Sequence, residues 1–262
     1  AGTGGFSCRN LSVGAYQNPY FDIVIGIFML LFGVNFNLYY FLLIRRFRDV
    51  FHSEELRSYL LIVTAAVVAI TVDIAHLYDS VSTSLCHAFF QVSSIITTTG
   101  YATTDFNAWP TFSKGILVVL MFIGACAGST GGGVKCSRML ILLRTIRREI
   151  HQIAHPRSVE VVRLEGKVVD ENTLRSVLTF IGCYVLILLG AGLIVSLDDV
   201  SFSAALTCLS NVGPGLQEIG PVGSFAEFSP LSKVVLSVTM IAGRLELFPI
   251  LVLFSRRTWS RS

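Results

Sequence analysis

Residues 89–106, FFQVSSIITTTGYATTDF, limit what this chain can fold into more than any other stretch. They read as a short apolar helix running into a Thr-Thr-Thr-Gly turn and then a polar exit. Apolar runs long enough to cross a bilayer lie on both sides. A helix that enters a membrane, stops at hydroxyls and glycine and turns back leaves irregular backbone at membrane depth. Such backbone is tolerated only where it is buried in protein or lines water. Backbone carbonyls around a narrow wet path are the material of cation selectivity filters, so the stretch points to ion passage.

Composition agrees. The chain is 53% hydrophobic and 14% charged, against about 25% charged in soluble domains, which predicts an integral membrane protein. No secretory signal with a cleavage site opens it. It begins AGTGGFS, without Met, and reads as part of a longer protein. Cys8, Cys86, Cys126, Cys136, Cys183 and Cys208 are scattered without metal-site spacing, and are expected to be small buried hydrophobes.

In chain order, 1–18 is a glycine-rich turn or its exit, and Pro19 introduces a span over Tyr20–Ile44. Asn35 and Asn37 interrupt that span and should face protein. Ser58–Ala75 is a second span, and Asp79–Ser84 reads as a surface turn. Leu85–Ile96 is too short to cross. Gly115–Leu143 is a third span, broken at 124–133, where Gly128, Gly131, Gly132 and Gly133 with Ser129 and Thr130 cannot hold a straight helix. The helix resumes at Val134. Residues 151–173 form a polar linker with room for a small hairpin. Arg175–Ser196 is the fourth span, Ser201–Leu209 another short segment, and Leu231–Phe254 the last span.

Of the 20 Lys and Arg, all but Arg9, Lys114, Lys233 and Arg244 lie in or beside 45–57, 135–175 and 256–261. The positive-inside rule makes those segments cytoplasmic, and the glycine turns then open outward. Both assignments fit one alternating threading.

A unit of span, short helix, glycine turn, polar exit and span recurs. Residues 49–148 hold one repeat, 149–172 a cytoplasmic linker, and 173–262 the last repeat with a cytoplasmic tail. Residues 1–48 hold the loop and outgoing helix of an earlier repeat. The fold class is thus an all-α membrane protein of repeated helix, pore helix, filter loop and helix. Candidate filter residues are Thr3, Gly4, Gly5 and Phe6; Thr98, Thr99, Gly100 and Tyr101; and Asn211, Val212, Gly213 and Pro214. Gly5, Gly100 and Gly213 align, with Gly4 an alternative to Gly5. Repeats that all open to one face differ from the inverted repeats of many secondary transporters.

TTTGYATTDF, GSTGGGVK (128–135), NVGPGL (211–216) and GRLELFP (243–249) together resemble the TrkH/KtrB potassium-uptake subunits, on the TrkH branch, over essentially the whole chain. The resemblance implies four pseudo-repeats around one pore, a homodimer, and the bacterial inner membrane. It also implies a cytosolic nucleotide-binding ring of TrkA/KtrA type as regulatory partner. By the same resemblance K⁺ is expected to be the transported ion, bound at the filter residues. No organic cofactor and no nucleic acid are expected for this chain.

Gly100 lets the backbone aim carbonyls at an axis, and Thr98 and Thr99 add hydroxyls. The TVGYG loop of potassium channels works this way; one aligned glycine per repeat predicts a shorter filter that discriminates less. The alternative is that the turns merely join helices. The break at 124–133 is either a packing kink of small residues or a loop that blocks and clears the path. By resemblance Gly128, Ser129, Thr130, Gly131, Gly132 and Gly133 form the gate, with Lys135 just beyond, snorkelling toward the cytoplasmic boundary. Arg244 within a span should face the bundle interior with a partner. Glu246 is poorly placed, so the loop's carbonyls and hydroxyls are the candidates. The resemblance makes Arg244 a latch and a positive barrier; the other reading is a helix-end cap.

Asp73, Asp79, Asp105, Asp198, Asp199, Glu218 and Glu227 lie on the outward side and either raise local cation concentration or are ordinary loop charges. His76, His87, His151 and His155 form no ligand pattern. A proton- or sodium-coupled symporter would need a titratable or sodium site in the path. The ion-binding subunit of an ATP-driven potassium pump is a further alternative. There is no Gly-rich phosphate loop with Lys and no nucleophile with a base, so an enzyme is not expected.

Overall fold

A computed structural model describes residues 4–158, 160–198 and 201–245. Thr3, Asp199, Glu246 and the arginines at 256, 257 and 261 lie outside the described residues. The described chain is mostly helical: α1 (Pro19–Phe32), α2 (Phe36–Leu43), α3 (Phe47–His52), α4 (Glu54–Ile74), α5 (Val81–Ile96), α6 (Thr111–Ile123), α7 (Cys136–Ala154), α8 (Glu171–Val195), α9 (Ser203–Ser210) and α10 (Pro230–Arg244). Two short strands, β1 (Arg163–Leu164) and β2 (Lys167–Val168), pair antiparallel in the linker.

Local chemistry sets these boundaries. Asn18, Ser53, Ser80, Asp170 and Ser229 each accept an amide hydrogen bond as N-cap, satisfying donors a helix start leaves orphaned. Proline stands at the first position of α1 and α10, where its missing N–H costs nothing. The Ser80 cap starts α5 at Val81, so the surface turn expected over 79–84 is in fact the first turn of a helix. The hairpin turns on Glu165 and Gly166, at φ 54° and 72°, the pair of positive φ values a two-residue type I′ turn requires.

α4 and α8 are each long and apolar enough to cross a membrane, and α1 with α2 passes the same test as a bent pair. Their outer faces are apolar and open, with Leu61, Val72, Leu186 and Leu193 about 70% exposed, as lipid-facing surfaces require. The first span is not straight: α1 and α2 meet at 91°. Gly33 packs against Tyr59 and Thr97 with no room for a side chain, and Asn35 then caps α2 through the Asn37 amide. Asn35 is thus spent within the protein, whereas Asn37 is exposed rather than turned inward.

α5 packs against α1, α4 and α6, while α9 packs against α6, α8 and α10. Both short helices are interior. From Phe90 to Gly100 every residue is buried, as is all of α9. Among the cysteines, Cys126, Cys136 and Cys208 are buried, but Cys8 is exposed and Cys86 and Cys183 are intermediate.

Candidate functional site

The turns after α5 and α9 have the same geometry, position for position. Thr98 and Gly100 take φ of 55° and 79°; Asn211 and Gly213 take 59° and 109°. The Ser94 hydroxyl donates to Tyr101 O at 2.6 Å, and the Thr207 hydroxyl to Pro214 O at 3.0 Å. The Thr99 amide donates to Ser94 O and the Val212 amide to Thr207 O, both at 2.9 Å. A β-branched residue such as Thr98 in the left-handed region is a strained outlier; strain of this kind persists only where the surroundings over-determine it.

The helices before these turns aim their C-terminal ends at them. The negative end of each helix dipole favours a cation there.

The equivalence extends outward. Asp73 Oδ2 accepts from the Ser113 hydroxyl at 2.5 Å, at the start of α6, and Asp198 Oδ2 from the Ser229 amide at 3.1 Å, before α10. Lys114 Nζ donates to Asn107 O at 3.2 Å, and Lys233 Nζ to Ala226 O at 2.7 Å. Asp105 caps the turn at Asn107. Asp73, Asp105 and Asp198 are therefore engaged in capping helix and turn starts.

Three glycine turns meet. A Cβ on Gly5 would lie 2.7 Å from Gly100 O, one on Gly100 2.0 Å from Val212 O, and one on Gly213 2.4 Å from Gly4 O. Only glycine allows backbones this close. The Thr98 and Thr99 carbonyls accept the Gly4 and Gly5 amides at 3.3 and 2.8 Å. The approach is so tight that one turn's N–H groups reach the next turn's carbonyls. Phe6 stands apart, 77% exposed. Above the turns a cavity of about 260 Å³ is lined by Gly5, Gly100, Gly213, Pro214 and Arg9 among others.

The loop between α6 and α7 lies directly beneath. α6 ends at Ile123 and α7 begins at Cys136. The Gly132 amide donates to Thr98 Oγ1 at 2.7 Å, and a Cβ on Gly132 would lie 2.1 Å from Ser210 O. The loop also grips the α1–α2 bend, through Phe36 N to Gly128 O at 3.1 Å and Cys126 N to Gly33 O at 3.0 Å. Arg244 Nη1 donates to Thr130 O at 3.1 Å, so a carbonyl of the loop is its partner although the residue is exposed. Lys135 does not reach away along α7; its ammonium turns back onto the Gly131 carbonyl, with φ 82° at Lys135. A cavity of about 280 Å³ below the loop is lined by Thr130, Gly132, Lys135, Arg138 and Arg244 among others.

Sequence reasoning missed Glu55. This carboxylate, 7% exposed, accepts the amides of Ala127 at 2.7 Å and Ser137 at 3.1 Å. An acid in the first turn of a helix is so ordinary that nothing in the sequence set it apart. Tyr184 was missed too; its hydroxyl bonds Ser210 Oγ at 2.7 Å, beside the loop.

Residues 2–261 match the family model for TrkH, described as a cation transport protein. This chain belongs to the TrkH family. It is 37% identical to the Trk system potassium uptake protein TrkH of Salmonella typhimurium, over 98% of the chain and 54% of that protein. It is 35% identical to the Trk system potassium uptake protein TrkG of Escherichia coli over the same shares. Its fold matches the crystal structure of the potassium transporter TrkH from Vibrio parahaemolyticus with a TM-score of 0.89 and 31% identity, over 98% of the chain and 56% of that structure. The chain spans about half the length of the relatives it matches. The family is one of membrane transporters, not enzymes.

Proposed function

We infer that this chain forms part of the pore of a potassium-uptake protein of the bacterial inner membrane. Gly4, Gly5, Thr98–Tyr101 and Asn211–Pro214 supply its filter, with Thr3 beyond the described residues. The observation that carries this is the mutual approach of three glycine turns, backbone on backbone, at the ends of two buried helices. An ion entering there exchanges water for carbonyl oxygens, the Thr98 and Thr99 carbonyls sharing their lone pairs between it and the Gly4 and Gly5 amides. The turns open outward, and the linkers and tail are cytoplasmic by the distribution of Lys and Arg.

The loop Gly128–Gly133 is the gate. It is bonded to Thr98 on one side and latched by Arg244 and Lys135 on the other. The two unit-for-unit equivalent turns support a pseudo-fourfold pore completed by the rest of a longer subunit. The assembly proposed with it is a homodimer over a cytosolic nucleotide-binding ring of TrkA/KtrA type. A symporter needs a titratable or sodium site in the path; the charges lining the cavity beneath the loop, Lys135, Arg138 and Arg244, are basic, which favours gated flow.

The test is ⁸⁶Rb⁺ uptake into liposomes holding the full-length protein, with K⁺, Na⁺ and Li⁺ as competitors. Wild type is expected to be blocked by K⁺ far better than by Li⁺, Gly100→Ser to lose that preference, and Arg244→Ala to pass ions faster. Flux indifferent to both substitutions would sink the pore assignment.

A further inference from the structure

We propose that the linker hairpin sets the position of the glycine-rich loop through two carboxylates, Glu165 and Glu55, joined by the first turn of α4. As a regulatory device it rests on the gate reading above; as a positional link it stands independently.

Both ends of the loop hang from one oxygen. Glu55 Oε1 accepts from Ala127, just before Gly128, and from Ser137, in the first turn of α7. Had Glu55 merely served its own helix, its carboxylate would have faced the amides of α4. Burying a carboxylate is costly unless hydrogen bonds offset it, and here the offsetting donors belong to the loop's two edges.

The N-cap Ser53 serves the Leu56 amide of α4, and the hairpin serves the Glu55 amide. Glu165, at the hairpin tip, accepts from the Ser53 hydroxyl at 2.9 Å and from the Glu55 amide at 3.2 Å. The Glu165 amide returns a bond to Glu54 Oε2 at 3.2 Å. Arg144 of α7 pairs with the same Glu54 oxygen at 2.8 Å and also meets the Arg163 carbonyl of β1. Val162, at the root of the hairpin, is buried with Ile141, Leu174 and Val177. The hairpin tip is exposed but its base is fixed, so a push on the tip moves the α4 turn rather than the hairpin alone. Glu55 shares its backbone with that turn and its side chain with the loop. A displacement at Glu165 therefore reaches Ala127 and Ser137 through one residue.

Cys126, buried beside Ala127, reports the loop's position without any assay of transport. The full-length protein in liposomes is treated with N-ethylmaleimide, and labelling of Cys126 and of Cys208, buried in α9, is followed by peptide mass spectrometry. Glu55→Ala and Glu165→Ala are each expected to speed Cys126 labelling about tenfold or more, the ratio that loss of a hydrogen bond to a charged group produces. Glu55→Gln keeps an accepting oxygen and should restore slow labelling, and Cys208 should not change. An unchanged Cys126 rate in Glu55→Ala, or a Cys208 rate rising with it, overturns the proposal. An unchanged rate in Glu165→Ala overturns the link to the hairpin. Faster labelling with unaltered ⁸⁶Rb⁺ flux upholds the positional link and counts against the gate reading.

Discussion

The Gly132 amide donates to the Thr98 hydroxyl at 2.7 Å, so one hydrogen bond joins the broken span to the turn above it. Thr98 is fully buried and sits at a positive φ, and Gly132 is pressed against Ser210 O. The two features that stood out separately in the sequence are in direct contact.

Removing that acceptor should free the loop. Thr98→Val leaves a buried N–H without a partner, at a cost of about 1–3 kcal/mol, while Thr98→Ser keeps the hydroxyl. Thermal unfolding of the purified protein should show a clear drop for the valine variant only. ⁸⁶Rb⁺ flux should rise in the same variant. Equal behaviour of the two variants would mean the bond is incidental.

Glycines in the chain divide sharply by space. A Cβ at Gly100 meets Val212 O at 2.0 Å and sits at φ 79°, whereas a Cβ at Gly115, inside α6, meets nothing within 4 Å. Gly100→Ala should abolish the preference for K⁺ over Li⁺ in competition assays. Gly115→Ala should leave it intact and add about 0.5–1 kcal/mol of helix stability, read as a higher melting temperature.

Gly132→Ala and Arg244→Ala should act in the same direction by different routes. The first drives the loop away from Ser210, where its Cβ would stand 2.1 Å from the carbonyl. The second removes the donor to Thr130 O. Both are expected to raise Rb⁺ flux severalfold, and the double variant should gain little more, because both free one loop. Fully multiplicative effects would show that the two residues hold different things.

Asp73 accepts from both the amide and the hydroxyl of Ser113 at the start of α6, which predicts a capping role. Asp73→Ala should lower stability by about 1 kcal/mol, the usual value of an N-terminal cap, while Asp73→Asn keeps most of it. Uptake should show the same half-saturating K⁺ concentration in both. A raised half-saturating concentration would return Asp73 to the role of a cation-concentrating charge at the mouth.

The sequence by itself determined where the backbone departs from helix. Gly100, Gly213 and 128–133 mark these places because positive φ and close backbone approach are local demands that few residues meet. Caps and prolines fixed most helix starts for the same reason, and the Glu-Gly pair made the hairpin. Tertiary structure alone decided what holds those irregular segments. Glu55 and Tyr184 carry no local signature, because an acid in a first helical turn and a tyrosine in an apolar span each fit their own segment. Their roles come from partners 72 residues along the chain for Glu55 with Ala127 and 26 for Tyr184 with Ser210. Hydrogen bonds of this kind depend on which surfaces packing brings together, and no residue's own propensity encodes that.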